Sequence, residues 1–380
     1  MTKPNRTVRQ FLQTHAPRTE FTCSEEEKQK NATNKPCLLI VSSTSGGGTA
    51  ARLAPKVAKR LAQSFDTVIL VPTLHREHAR TILMTEPLER YAVAVIVGGD
   101  GAFSEAVNGM LSRPDGVTVT MAHFPGGSGN TTAGNTLGYW NGSQSLEHAC
   151  DVICALKTRP MDVLQVDCDD GTTRYATSTI SGGIYVDSLI LADRYYRWIS
   201  TFLGNPGLRY ILGLIHGYFM YGARDTGREM KYTIYHNNNQ DEESFLMPSF
   251  GLALYNSGWV LEDARFGSST PFSGDMSLSV AKTYLGLGRH LMYQGTVKKE
   301  NGKLDVNKKY PQYKSVHFDR AVTKVKIEPI VVSDSSSIKS CHGPFKIALD
   351  GEMGTGNQEY MTGSITAQVL PGKLNVIVAY

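Results

Sequence analysis

Apolar and polar positions follow one rhythm up to about residue 160 and another beyond it. Residues 37–42 form a short apolar run that reads as a strand and ends in Ser45-Gly46-Gly47-Gly48. Residues 50–63 then carry Leu53, Val57 and Leu61 at helical spacing. A second strand over 67–71 ends at Pro72-Thr73, and a helix is predicted over 75–84. A strand over 91–97, a glycine loop and a helix over 102–111 come next. A strand over 117–124 runs into another glycine loop, and a helix over 145–156 closes the region. Strand, loop and helix alternating four times predicts an α/β domain, a parallel sheet with helices on its faces. In such sheets ligands sit at the carboxyl ends of the strands, where the glycine loops fall.

After Thr158-Arg159-Pro160 the texture becomes β-like. Short runs at 162–167, 174–180, 230–235, 249–254, 323–327 and 374–379 are separated by polar turns, and one helical stretch over 189–221 interrupts them. They predict a second, mainly antiparallel β domain. Residues 1–35 hold seven Lys/Arg, four Glu and a Glu25-Glu26-Glu27 run, and read as a disordered polar tail. The expected organisation is therefore a tail over 1–35, an α/β domain over 36–160 and a β-rich domain over 161–380.

Composition narrows the class. A chain of 380 residues with 41% hydrophobic and 19% charged residues is globular and too long for one ordinary core. A net charge of +4, spread along the chain, gives no case for nucleic acid and does not oppose an anionic membrane surface. Nothing points to a dedicated protein partner. The six cysteines are scattered, and residues 1–20 lack an apolar core segment, so reduced thiols in a cytoplasmic protein are expected. His148, Cys150 and Cys154 share a helix face but lack a fourth ligand, which favours buried thiols over zinc.

Three glycine loops follow strands: Ser45-Gly46-Gly47-Gly48-Thr49, Gly98-Gly99-Asp100-Gly101 and Gly126-Gly127-Ser128-Gly129-Asn130. Glycine lets backbone N–H groups approach a phosphate, and a following helix N-terminus adds positive potential. Three such loops in one sheet point to a polyphosphate ligand. The Walker pattern is absent. A dinucleotide fingerprint lacks its acidic residue, because Val71-Pro72-Thr73 ends the second strand. Asp100, flanked by glycines at a strand's end, is placed to accept a proton from an attacking hydroxyl or to hold Mg²⁺. Its bland alternative is a cap on helix 102–111. Phe103, Ala106, Val107 and Met110 form that helix's buried stripe, and Glu105 would buttress the loop.

Residues 98–109, Gly-Gly-Asp-Gly-Ala-Phe-Ser-Glu-Ala-Val-Asn-Gly, resemble the GGDGT-x-x-E-x-x-NG signature of the diacylglycerol/sphingosine/ceramide kinase superfamily. Phe124 to Asn130 is similar to its P-x-G-[ST]-G-N loop, and Thr73 with His78-Ala79 to its T-x-x-x-x-HA segment. Tyr196-Arg197-Trp198, Leu208-Arg209-Tyr210 and Gly288-Arg289-His290 resemble stretches of sphingosine kinases, and Asp350-Gly351-Glu352 the late DGE. The resemblance implies an ATP-binding domain, a lipid-binding β domain and a site in the cleft between them. It makes Asp100 the catalytic base, with Thr73 and the three loops on the nucleotide. Arg197 and Arg209 would clamp phosphates, and Asp350 and Glu352 would reach back to the nucleotide side. Ser42-Ser43, Thr49 and Leu74-His75 depart from the family pattern.

Thr131 after Asn130, Ser128 and the sphingosine-kinase-like stretches favour a sphingoid base as the lipid, met transiently at a membrane surface. Asp187, with Asp193, would face the amine, and Tyr210 and His290 the lipid pocket. The stretch 203–222 reads equally as core helix or as a membrane-touching face. The alternatives are a diacylglycerol or ceramide kinase, and a non-catalytic binding protein of the same fold.

Overall fold

The computed structural model describes residues 6–15, 17–24, 26–28, 33–127, 129–138, 145–196, 199, 206–217, 219, 228–236, 240–257, 259–261, 264–265, 269–282, 316–330, 345–351, 360–361 and 364–379. The chain divides into two compact units, residues 1–161 with 372–380, and residues 162–371.

In the first unit, helix α1 (Arg6–His15) and strand β1 (Thr19–Phe21) precede β2 (Cys37–Val41) and α2 (Thr49–Leu61). There follow β3 (Val68–Pro72), α3 (His78–Thr85), β4 (Val93–Gly98), α4 (Asp100–Leu111), β5 (Met121–Pro125), α5 (Thr131–Leu137) and α6 (Leu146–Cys154). The strands lie in the order β1-β3-β2-β4-β5, and β2, β3, β4 and β5 pair in parallel. Val376, from the end of the chain, pairs in parallel with Met121 of β5. All residues of these four strands are buried, as a parallel sheet covered on both faces requires. The predicted stripe of α4, Phe103, Ala106, Val107 and Met110, is buried. Gly109 of α4 lets α3 approach: a Cβ there would lie 2.2 Å from the Arg80 carbonyl oxygen.

Several expectations are corrected. Residues 1–35 are not simply a tail: α1 buries Val8 and Phe11, and β1 adds antiparallel to the edge of β3. Val8, Phe11 and Leu12 form a stripe of only three apolar residues, too short to stand out among the polar ones. The helix expected from residue 75 begins at His78, behind Glu77 at φ +63°. Helix α5 was not expected; all seven of its residues are buried, so no polar face marks a period. The run at 374–379 belongs to the first unit rather than to the β-rich one.

The second unit is mainly antiparallel. It comprises β6 (Thr158–Cys168, beginning in the first unit), β7 (Thr173–Ala176), β8 (Thr179–Gly183), α7 (Ile184–Tyr195) and α8 (Pro206–Gly217). Strands β9 (Arg228–His236), β10 (Asp241–Ser249), β11 (Gly251–Tyr255), β12 (Trp259–Leu261), β13 (Ala264–Arg265) and β14 (Met276–Ala281) follow. The last are β15 (Val316–Val322), β16 (Lys324–Pro329), β17 (Phe345–Leu349), β18 (Tyr360–Met361) and β19 (Ile365–Ile377), whose end enters the first unit. One sheet runs β15-β14-β11-β8-β17-β18; in the other, β16 lies between β19 and β9, with β10 outside β9. Tyr232, Leu252, Leu278 and Val325 are fully buried in the cluster these strands enclose. Within the described residues the helical stretch includes α7 and α8, separated rather than continuous. They pack closely at Gly213, where a Cβ would lie 2.4 Å from the Ser188 carbonyl oxygen.

Candidate active site

The three glycine loops meet backbone to backbone at the carboxyl ends of β2, β4 and β5. Gly126 N–H donates to the Gly98 carbonyl at 2.8 Å, and Ser42 N–H to Val97 at 2.9 Å. A Cβ on Gly127 would fall 2.3 Å from Gly99 Cα, and one on Gly46 would fall 2.5 Å from the Gly126 carbonyl oxygen. Side chains are thus excluded from the contact, and what the loops present is backbone. Gly46, Gly47 and Gly48 take φ values of +58°, +67° and +98° in succession, a left-handed turn open to glycine but costly for other residues. The turn delivers the chain into the N-terminus of α2. Asn130 locks the third loop: its Oδ1 accepts Gly127 N–H at 2.9 Å, and its Nδ2 donates to the Gly127 carbonyl at 3.0 Å.

Asp100 lies in the first turn of α4, its side chain 14% exposed. It does not cap its own helix. Its Oδ2 accepts the Thr131 N–H at 3.0 Å and its Oδ1 the Thr132 N–H at 2.9 Å, tying the carboxylate to the start of α5. A Cβ on Gly129 would come within 2.9 Å of Oδ2. Each oxygen retains acceptor capacity beyond these bonds, so the group is oriented without being saturated. Under it sits His123 of β5, 1% exposed, with Nδ1 3.8 Å from Asp100 Oδ1 and Nε2 3.1 Å from the Gly98 carbonyl. The only mark of this histidine in the sequence is one polar ring in the otherwise apolar run of β5.

Ser45 Oγ donates to Ser42 Oγ at 2.7 Å, and Ser43 Oγ to the Thr73 carbonyl at 2.8 Å, so Thr73 at the end of β3 is held against the first loop. Beyond it, His78 Nδ1 accepts the Leu74 N–H at 3.0 Å. Burial, and then the neighbouring His75, hold the His78 pKa below its ordinary value, consistent with a ring used as an acceptor.

The residues expected from the second half of the chain divide. Asp187 is half-buried in the first turn of α7. For Asp193, Arg209 and Tyr210 only the helical position is described, and Ser128, Arg197, His290 and Glu352 lie outside the described residues. Asp350 was expected to reach the nucleotide; its carboxylate is occupied inside its own unit. Its Oδ2 accepts Thr177 N–H at 2.8 Å and Thr177 Oγ1 at 3.0 Å. Its Oδ1 accepts Ser178 N–H at 2.7 Å, Ser178 Oγ at 2.8 Å and Thr179 N–H at 3.0 Å. Five donors fill a buried carboxylate and make it the peg of the β7–β8 turn. Among the described residues no three His, Cys, Asp or Glu side chains converge as a metal site.

Residues 36–166 match the family described as the diacylglycerol kinase catalytic domain. Sphingosine kinase 1 of Mus musculus is 28% identical over 196 residues, covering 47% of this chain and 51% of its own length. Ceramide kinase of Homo sapiens is 27% identical over 192 residues, covering 46% of this chain and 35% of its own. The chain spans about half the length of the sphingosine kinase 1 proteins it matches, 51% for Mus musculus and 50% for Homo sapiens. A diacylglycerol kinase crystal structure from Bacillus anthracis str. Sterne shares the fold, with a TM-score of 0.59, 17% identity, and 92% of this chain and 98% of that one covered. Residues 36–166 thus resemble a diacylglycerol kinase catalytic domain, and about half of the chain is similar to sphingosine kinases.

Proposed function

We propose that this chain is a lipid kinase that transfers the γ-phosphate of ATP to the primary hydroxyl of a sphingoid base, making sphingosine 1-phosphate from sphingosine. The observation that carries the proposal is the Asp100 carboxylate, oriented by two backbone N–H groups beside three converging glycine loops. The loop backbones and the N-termini of α2 and α4 would receive the phosphates, with Thr73 beside them and forked arginines, Arg197 and Arg209, replacing a Walker lysine. Asp100 would take the proton of the lipid hydroxyl while its oxygen forms a bond to the γ-phosphorus and the bond to the ADP oxygen breaks. Among the described residues, Asp100 together with phosphate oxygens would hold Mg²⁺; when bound, the ion would neutralise charge on the transferring group.

Relatives bearing sphingosine and ceramide kinase names stand at similar identity, 28% and 27%, so the head group rests on the motifs. Thr131, the Tyr196-Arg197-Trp198 and Leu208-Arg209-Tyr210 stretches and Gly288-Arg289-His290 favour the sphingoid base, with Asp187 and Asp193 toward its amine. No helix among the described residues is long and apolar enough to cross a membrane. Tyr195 of α7, Ile215 of α8 and Phe219 just beyond α8 are 47%, 47% and 75% exposed, which supports transient peripheral contact of this region with a bilayer by a cytoplasmic protein.

A panel of sphingosine, dihydrosphingosine, ceramide and diacylglycerol with radiolabelled ATP tests the substrate; preference for an amine-free lipid overturns the sphingoid assignment. Asp100→Asn is expected to lower kcat by about 10²–10⁴-fold, the range of a lost general base, while ATP titration still shows binding. Wild-type protein inactive on every lipid would remove the kinase reading altogether.

A further inference from the structure

His123 is enclosed in β5, where every neighbour in the strand is apolar or proline. An imidazole in such a place costs desolvation that an aliphatic residue would avoid, so its contacts indicate what it is for. The Gly98 carbonyl only accepts, which places the ring proton on Nε2, donating at 3.1 Å. The same carbonyl accepts Gly126 N–H, so His123 and the third glycine loop hold Gly98 together. Nδ1 is left as the edge toward Asp100 Oδ1, at 3.8 Å. The ring face stacks on Phe103, with centroids 5.1 Å apart and planes 20° apart. One ring therefore touches the backbone two residues before Asp100, faces Asp100 itself, and packs on the residue three after it.

We propose that His123 is a positioning residue for the transfer step, fixing the Gly98–Phe103 segment from beneath so that the Asp100 carboxylate meets the substrate hydroxyl in the reactive orientation. Thr131 and Thr132 hold the two carboxylate oxygens; His123 holds the backbone that carries them. The inference rests on Asp100 being the base. A misplacement of about 1 Å at a reacting group costs on the order of 10²-fold in rate, with no need for substrate affinity to change.

The test compares His123→Leu, which fills the space without a donor, with His123→Gln, whose Nε2 can still donate to the Gly98 carbonyl. Steady-state transfer to sphingosine is measured with each, per mole of folded protein judged by thermal unfolding. His123→Leu is expected to lower kcat by about tenfold or more, with KM for ATP and for lipid within about twofold of wild type, and His123→Gln to recover most of the loss. Equal kcat in the two variants, or a fall in kcat accompanied by matching rises in both KM values, overturns the proposal. Should His123→Leu fail to fold, His123→Asn replaces it: its amide is too short to reach the carbonyl, so it must be slower than His123→Gln, and equal rates overturn the inference. Asp100→Asn runs alongside. If it retains full transfer, the reading of Asp100 falls; if it is inactive while His123→Leu is unimpaired, only the role of His123 falls.

Discussion

Gly46 and Gly47 both lie at positive φ in the first glycine loop, yet they are constrained differently. A Cβ on Gly46 would meet the Gly126 carbonyl oxygen at 2.5 Å, whereas one on Gly47 would meet nothing within 4 Å. Gly47→Ala is therefore expected to cost only the left-handed backbone penalty, about 1–2 kcal/mol. Gly46→Ala adds a clash that must separate the first and third loops. Thermal unfolding should place Gly46→Ala below Gly47→Ala, and ATP titration should show the larger loss of affinity for Gly46→Ala. Equal behaviour would mean that the loops need not touch. Asp100 was legible from its flanking glycines and the motif around it. Its anchors were not, because the donors lie 31 and 32 residues away and are backbone N–H groups, which no residue type announces. His123 escaped for the opposite reason: a lone histidine in a strand is usually a satisfied core residue.

The elements of the second unit depend on a turn as much as on their strands. Asp350, at φ +52° just after β17, gathers five donors from Thr177, Ser178 and Thr179, and its own N–H donates to the Thr179 carbonyl at 2.8 Å. This joins the start of β8 to the end of β17, and β8 leads directly into α7 with Asp187. Asp350→Ala would strand buried donors around an emptied carboxylate site. The expected loss is at least about 3 kcal/mol in urea unfolding of the second unit. A loss under about 1 kcal/mol, of the size of one ordinary hydrogen bond, would show that water replaces the carboxylate there. The motif placed Asp350 toward the nucleotide; in the structure its carboxylate bonds across some 170 residues of sequence to the turn before β8.

At the scale of the molecule, the chain leaves its first unit at residue 161 and returns to it at 372, so the last strand completes the sheet that the first strands began. The core of that unit encloses thiols as well as aliphatic side chains. Burial, and then neighbouring Cys154, raise the Cys37 thiol well above its ordinary range and push Cys150 up to about 12. Both should stay unmodified by iodoacetamide at pH 8 in the native protein, since the thiolate is the reactive form, and react once it is unfolded. Peptide mass mapping before and after denaturation reads this directly. Rapid native labelling of either would show that the first unit opens around α2 and α6.

Local pattern alone determined the alternation of strands and helices to residue 160, the β texture beyond it, and the three glycine loops. These are properties of neighbouring residues, set by period, by glycine's freedom at positive φ and by the apolar content of each run. Tertiary structure decided the rest. It showed that Val8 and Phe11 are covered, that 372–377 belongs to the first sheet, that Asp350 serves a turn, and that Asp100 is held by the start of α5 with His123 beneath it. Each of these depends on which distant backbone atom faces a given side chain, and a one-dimensional pattern does not contain that information.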